Sequence, residues 1–270
     1  MSTLSQEQIN AAALELYEAE KNRAQISPIT QRHPDMDMED AYAIQSAWVN
    51  RKIEHDNDPV IGYKIGLTSR VMQRAMNIDT PDFGVLLRSM QFDNNCTIRH
   101  ADFCDPRIEV ELAFVLKKPL FGEHLSIAEV LDATDYVVPA LELIAARSYR
   151  VDPETRYTRT VMDTISDNAA NAGIITADQR FDPNAIDLRW SGGILYRNNV
   201  IEETGLAAAV LDHPANGICW IAKRFAPHGI GLEPGQILLS GSFTAPVIAK
   251  PGDHFKADYG PLGCIECTFS

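Results

Sequence analysis

Apolar and polar positions alternate most clearly between residues 106 and 116. Ile108, Val110, Leu112, Phe114 and Leu116 share one parity, which predicts the apolar face of a β-strand. The other parity starts charged, with Arg107, Glu109 and Glu111, and ends apolar, with Ala113 and Val115. Its face therefore goes under cover along the strand. Residues 136–144 predict a second strand, apolar except for Glu142, which shares a face with Val138, Ala140 and Ile144.

Helical spacing dominates the N-terminal part. Ser5 and Gln8 form a capping box ahead of Ile9, Ala12, Ala13, Leu16 and Tyr17. Asp37 precedes a second amphipathic helix carrying Ala41, Ile44, Gln45, Trp48 and Val49. Residues 26–35 form a polar connection between the two. Further along, residues 60–66 predict a strand and Thr68-Ser69 a cap for a short helix through Met76. Residues 80–84 carry turn chemistry. Ser126 and Glu129 make another capping box. An arginine-rich loop at 147–160 leads into a helix predicted over 161–171. Beyond it the pattern is mostly β, at 188–196, 200–203, 237–244, 247–249, 254–257 and 265–269, interrupted by a helix at 216–225.

The chain has 270 residues, enough for one large domain, or one domain with a helical annex. We place the annex at 1–59 and the β domain at 60–270. No apolar run approaches the roughly 20 residues needed to span a bilayer, and the polar start lacks a signal-peptide core, which points to the cytoplasm. The net charge of −13 argues against nucleic acid or an anionic membrane as partner. Five cysteines, an odd number, do not make a disulfide framework, and Cys264 and Cys267 read as packing residues.

Charge changes the picture at the two strands. Glu109 and Glu111 leave their strand on the same side, about 7 Å apart at the backbone, and can converge on one cation or form a solvated edge. Glu142 favours the first reading, because a carboxylate in an apolar face must be neutralised, paired or bound to metal. Three glutamates form an all-oxygen ligand set suited to Mg²⁺ or Mn²⁺ rather than zinc. Lys64 reads equally as a functional group or as an edge-strand lysine, and Asp82 on its own reads as a turn residue.

Several stretches together resemble a known family: 62–69 (Gly-Tyr-Lys-Ile-Gly-Leu-Thr-Ser), 81–84 (Pro-Asp-Phe-Gly), 106–112, 140–143, 163–170 and 241–244. They resemble the fumarylacetoacetase-like fold and, within it, the 2-oxo-enoate hydratases and decarboxylases. Residues 133–136, 152–155, 202–205 and 213–217 resemble the branch that hydrates 2-oxohept-4-ene-1,7-dioate in 4-hydroxyphenylacetate (homoprotocatechuate) breakdown.

The resemblance implies an α+β fold, a highly curved, barrel-like mixed β-sheet with a helical N-terminal annex, assembled as a homo-oligomer. It implies Mg²⁺ on Glu109, Glu111 and Glu142, with Lys64 and Asp82 as acid/base groups. It also puts Ser166, Asn168, Ser242 and Thr244 near a small 2-oxo dicarboxylate substrate. The second carboxylate of such a substrate needs a local cation, and Arg156 or Arg159 of the loop is the expected clamp. A five-carbon dienoate hydratase, a 4-oxalocrotonate-type decarboxylase, a carbon–carbon hydrolase and a non-catalytic scaffold remain open as alternatives. No His–Glu pair stands in the segment where the hydrolase would need one.

Overall fold

The computed structural model describes residues 3–75 and 78–270. The N-terminal region forms α1 (Gln6–Asn22), α2 (Ile29–Arg32) and α3 (Met38–Asp56). Ser5 Oγ accepts the Gln8 amide at 3.2 Å while Gln8 Oε1 accepts the Ser5 amide at 2.8 Å. Asp37 and Asp40 make the same reciprocal cap on α3, each bond 2.9 Å. These boxes satisfy helix-end donors that would otherwise lack partners. The buried faces of α1 and α3 meet in one apolar cluster that also takes in Val85, Leu87, Val161 and Ile165. The annex is thereby packed against the β region.

The polar connection at 26–35 contains α2. Its Thr30 amide donates to Asp163 Oδ1 at 2.8 Å, which explains why so short a helix is held. Next come β1 (Val60–Gly66), α4 (Arg70–Ala75) and β2 (Asp82–Leu87). The expected end of α4, Met76, lies outside the described residues. Asp82 is not in a turn: it opens β2. Short strands β3 (Gln91–Asp93) and β4 (Cys96–Ile98) lead to β5 (Arg107–Leu116), α5 (Ile127–Ala133) and β6 (Thr134–Ile144).

Then follow α6 (Val161–Ser166), β7 (Asn171–Thr176), β8 (Gly192–Arg197), β9 (Val200–Leu206) and α7 (Ala215–Phe225). The chain closes with β10 (Ile237–Leu239), β11 (Val247–Ile248), β12 (His254–Asp258) and β13 (Cys264–Phe269). Cys267 is buried as expected, but Cys264 faces solvent, because residues three apart on a strand point to opposite sides.

A curled mixed sheet runs β2-β1-β10-β5-β6-β7-β3, with β11 added to β5, and a second sheet runs β4-β13-β12-β8-β9. One face of β5 and β6 (Val110, Leu112, Leu141, Leu143) packs with Phe255, Ile265 and Phe269 of the second sheet in the main core. Tyr259 ties the sheets together, its hydroxyl donating to Glu111 O at 2.9 Å and Ala140 O at 2.6 Å. The opposite face, inside the curl, carries a smaller cluster that includes Ala113, Val138, Ala140 and Leu239. Both faces of β5 are thus covered, as its mixed second parity implied. Among the described residues, no helix is long and apolar enough to cross a membrane.

The helix expected over 161–171 stops at Ser166. Asn168, Ala169 and Ala170 then take left-handed backbone angles, with φ of 51°, 50° and 58°. Such angles disfavour residues with a Cβ by roughly 1–2 kcal/mol each, so the surroundings must impose them. Asn168 is gripped at both ends: its Oδ1 accepts the Val85 amide at 2.7 Å and its Nδ2 donates to Val85 O at 2.9 Å. The buried Arg147 guanidinium donates to Asp167 O at 2.9 Å and Asn171 O at 2.8 Å while pairing with the Asp167 carboxylate. The turn ends by starting β7 beside β6.

Candidate active site

Register brings the three glutamates together. Glu109 lies directly opposite Glu142 in the antiparallel β5–β6 pair, and Glu111 lies opposite Ala140. Their ligand oxygens fall within 4.8 Å of one another. Glu111 and Glu142 are each 1 % exposed. Glu111 Oε2 accepts the Gly241 amide at 2.9 Å, and Glu142 Oε1 accepts Asn171 Nδ2 at 2.8 Å. Burial first, and then the neighbouring Glu142, pushes the Glu109 carboxyl up to about 8, against the pull of Lys64 and Arg150. The same two causes lift Glu111 well above the usual carboxylate range. Three carboxylates crowded this closely are chemically matched to a hard divalent cation.

Lys64 and Asp82 reach the same place from the neighbouring strands. In the β1–β2 pair, Lys64 sits opposite Gly84 and Asp82 opposite Gly66. A methyl group at Gly66 would collide with Asp82 Oδ1 and lie 3.0 Å from Lys64 Nζ, so both polar ends fill the space a side chain would take. Lys64, 5 % exposed, has its Nζ 3.5 Å from Glu142 Oε1. Burial opposes its charge, but Glu142, Asp82 and the other two glutamates outweigh that and hold the ammonium above the usual lysine range. Burial raises the Asp82 carboxyl, with Lys64 opposing. Asp82 Oδ1 is buried without a hydrogen-bond partner.

All five residues line one cavity of about 410 Å³, within the rough 300–1,000 Å³ span of small-molecule sites. Ser242 and Thr244 line it too. Their hydroxyls are engaged with the backbone: Thr244 Oγ1 accepts the Val110 amide at 3.1 Å and Ser242 Oγ donates to Thr244 O at 2.9 Å. The strand expected to 244 ends at Leu239, yet the segment stays tied to β5, the Ser240 amide donating to Leu112 O at 3.1 Å and the Phe243 amide to Val110 O at 3.2 Å. Gly241, at φ 121°, presses against Thr68 where a methyl group would clash.

The other expected site residues are placed differently. Ser166 and Asn168 are fully buried and do not line the cavity; Asn168 spends its amide on Val85. Arg156 is exposed at the tip of its loop, away from the cavity, whereas Arg159 lines it. One contributor carries a signal that the sequence reading does not use, and another is a loop arginine ranked behind Arg156 and Arg159. Asn171, placed at the end of the expected helix, is a lone amide within the apolar run 169–175, the same signal that Glu142 carries. Arg150 also lines the cavity, and no local pattern set it apart from its neighbours.

The fold and its site define a protein with a curled sheet whose inner face ends in a carboxylate cluster and a buried lysine. The chain belongs to the fumarylacetoacetate (FAA) hydrolase family, whose C-terminal family profile matches residues 63–270. It is 53 % identical to the 2-oxo-hept-4-ene-1,7-dioate hydratase of Escherichia coli, over 95 % of this chain and 96 % of that one. It is 36 % identical to a 2-keto-4-pentenoate hydratase of Paraburkholderia xenovorans, over 98 % and 96 % of the two chains. Among solved structures, 4-oxalocrotonate decarboxylase from Pseudomonas putida G7, complexed with magnesium and adipate, superposes with a TM-score of 0.93. That match has 30 % identity and covers 100 % of both chains.

Proposed function

We propose that this chain is a hydratase that adds water to 2-oxohept-4-ene-1,7-dioate, giving 4-hydroxy-2-oxoheptane-1,7-dioate in the breakdown of 4-hydroxyphenylacetate. The observation that carries this reading is the convergence of Glu109, Glu111 and Glu142 with Lys64 and Asp82 in one cavity. Identity of 53 % with a hydratase of that substrate supports the choice of reaction. A divalent cation held by the three glutamates, Mg²⁺ in our reading with Mn²⁺ as a substitute, would act as a Lewis acid toward a 2-oxo carboxylate.

The chain's own residues then have distinct tasks. A double bond at C4 is isolated from the C2 ketone until a proton leaves C3 and one arrives at C5. That shift gives a conjugated 3-ene, to which water adds at C4 while C3 regains a proton. Two proton-carrying groups are required. The Lys64 ammonium, held by Glu142, is a donor, and the unpartnered Asp82 Oδ1 is able to accept. The apolar cluster of Ala113, Val138 and Leu239 continues the inner face of the sheet beyond the carboxylates. Assembly into a homo-oligomer belongs to the same reading and is read by sedimentation velocity.

Product analysis tests the proposal directly. Incubation with 2-oxohept-4-ene-1,7-dioate and Mg²⁺ should yield a product heavier by one water. Release of CO₂ would identify a decarboxylase, cleavage into two acids a hydrolase. Cation binding without turnover of any of these substrates would leave a scaffold.

A further inference from the structure

The loop 147–160 is not a loose excursion. Val151 and Thr158 form an antiparallel bridge, the Asp152 amide donates to Tyr157 O at 2.8 Å, and the Arg159 amide donates to Arg150 O at 3.1 Å. This pairing folds the segment into a small hairpin and sets Arg150 and Arg159 opposite each other. The turn closes on Asp152, whose Oδ1 accepts the Glu154 and Thr155 amides at 3.0 and 2.9 Å, and Arg156 is carried to the exposed tip. The base is pinned to the annex through Ile26, whose amide donates to Arg147 O at 3.0 Å and whose carbonyl accepts the Tyr149 amide at 2.9 Å.

Two like charges facing each other across a pair of strands repel, and here only one has a counter-ion. Arg150 Nε pairs with Asp105, which also takes Arg107. Among the described residues, no carboxylate lies within ion-pairing distance of Arg159. Arg150 Nη2 and Arg159 Nη1 are both buried and without a hydrogen-bond partner. Buried donors are nearly always satisfied, so two empty guanidinium nitrogens on one cavity wall mark a place prepared for an anion. Burial, and then Arg150, lowers Arg159 to about 10, the direction expected of a cation short of counter-charge.

We propose that Arg150 and Arg159 together seat the second carboxylate of a dicarboxylate substrate whose 2-oxo carboxylate end is directed to the glutamate cluster. This rests on the hydratase reading for the nature of the substrate. The placement is consistent: Arg107 pairs with Ile144 at the shared end of β5 and β6, so the hairpin that follows β6 rises on the Glu109 side of the cluster. Both arginines line the same cavity as the glutamates. Planar guanidinium groups bind carboxylates through paired hydrogen bonds, which suits recognition of a chain end better than a point charge would.

Calorimetry in the presence of Mg²⁺ separates this from the activity itself, using the unreactive 2-oxoheptanedioate and the monoacid 2-oxopentanoate. The wild-type protein should bind the diacid at least about tenfold tighter, and Arg159→Ala and Arg159→Gln should each remove about tenfold for the diacid only. Monoacid binding should stay within about threefold, and Arg156→Ala should change neither. Arg150→Ala should behave like the Arg159 variants; if losing the Asp105 pair unfolds it, the two Arg159 variants decide alone. Equal losses on both ligands, no loss on either, or a wild type indifferent to the second carboxylate would overturn the proposal. A wild type that binds the diacid selectively yet hydrates nothing would sink the hydratase reading and leave the anion seat standing.

Discussion

Lys64 Nζ lies 3.5 Å from Glu142 Oε1, and both side chains are almost wholly removed from solvent. A buried ion pair of this kind is weak support for stability, because desolvation offsets most of the attraction. Here it sits within a cluster of four carboxylates, so the ammonium offsets part of an excess of negative charge. Its place beside Glu142 and over Gly66 ties the charge balance of the cluster to the group proposed to move protons.

Glu109→Gln should therefore have two opposite effects. Loss of an anionic ligand should weaken Mn²⁺ binding by ~10²-fold or more, since even supporting residues around a metal are typically worth ~10–100-fold. The chelator-treated variant should melt at a higher temperature than chelator-treated wild type, because a buried carboxylate repelled by Glu142 is gone. Calorimetry with Mn²⁺ and thermal melts in EDTA read the two separately. A variant that bound Mn²⁺ like wild type would remove Glu109 from the ligand set.

Proton transfer should be separable from cation binding. Lys64→Met and Asp82→Asn are each expected to lower kcat by ~10²–10⁴-fold, while Mn²⁺ affinity is retained or, for Lys64→Met, tightened. Steady-state kinetics on the seven-carbon diacid, paired with Mn²⁺ titration, make the check. A fall of less than about threefold in kcat at either position would clear that residue of the role.

Stability in chelator should depend on pH in a direction unusual for a carboxylate. The folded-state value of Glu109, about 8, stands above the ordinary 4.5, so the folded protein holds this proton more tightly than the unfolded chain does. Its contribution is complete below the unfolded value and is lost as pH rises through the folded one; Glu111 shifts in the same direction. In EDTA the melting temperature should fall between roughly pH 5 and 9, and saturating Mn²⁺ should flatten the fall by replacing the protons. A melting temperature that climbs across this window in EDTA would contradict the assignment.

Arg147, in the same loop as the arginines proposed to hold substrate, serves the fold instead. Its guanidinium pairs with Asp167, both side chains being buried, and it spans the strained turn that delivers Asn171 to Glu142. Asp167→Ala should destabilise by ~3–5 kcal/mol, the usual consequence of leaving a buried charge unpaired. Urea unfolding measures this. A loss under about 1 kcal/mol would mean that water compensates Arg147 and the turn stands without it.

The sequence by itself determined which residues share a face. Strand pleating is a local backbone property of period two, so Glu109 with Glu111, and Glu142 with Ala140, could be paired from residue numbers alone. The capping boxes at Ser5 and Ser126 were legible for the same reason, each being a contact over three residues. That Glu142 needed a partner followed from one charge in an apolar run. Only the tertiary structure decided that Glu109 meets Glu142, since the register between β5 and β6 is set by how their buried faces pack on the second sheet. It likewise decided that Asp82 opens a strand opposite Gly66, that the Asn168 amide grips the Val85 backbone, and that Arg150 rather than Arg156 faces the cavity. Each of these depends on where a turn closes or which distant backbone is in reach, and such contacts leave no periodic trace in the chain.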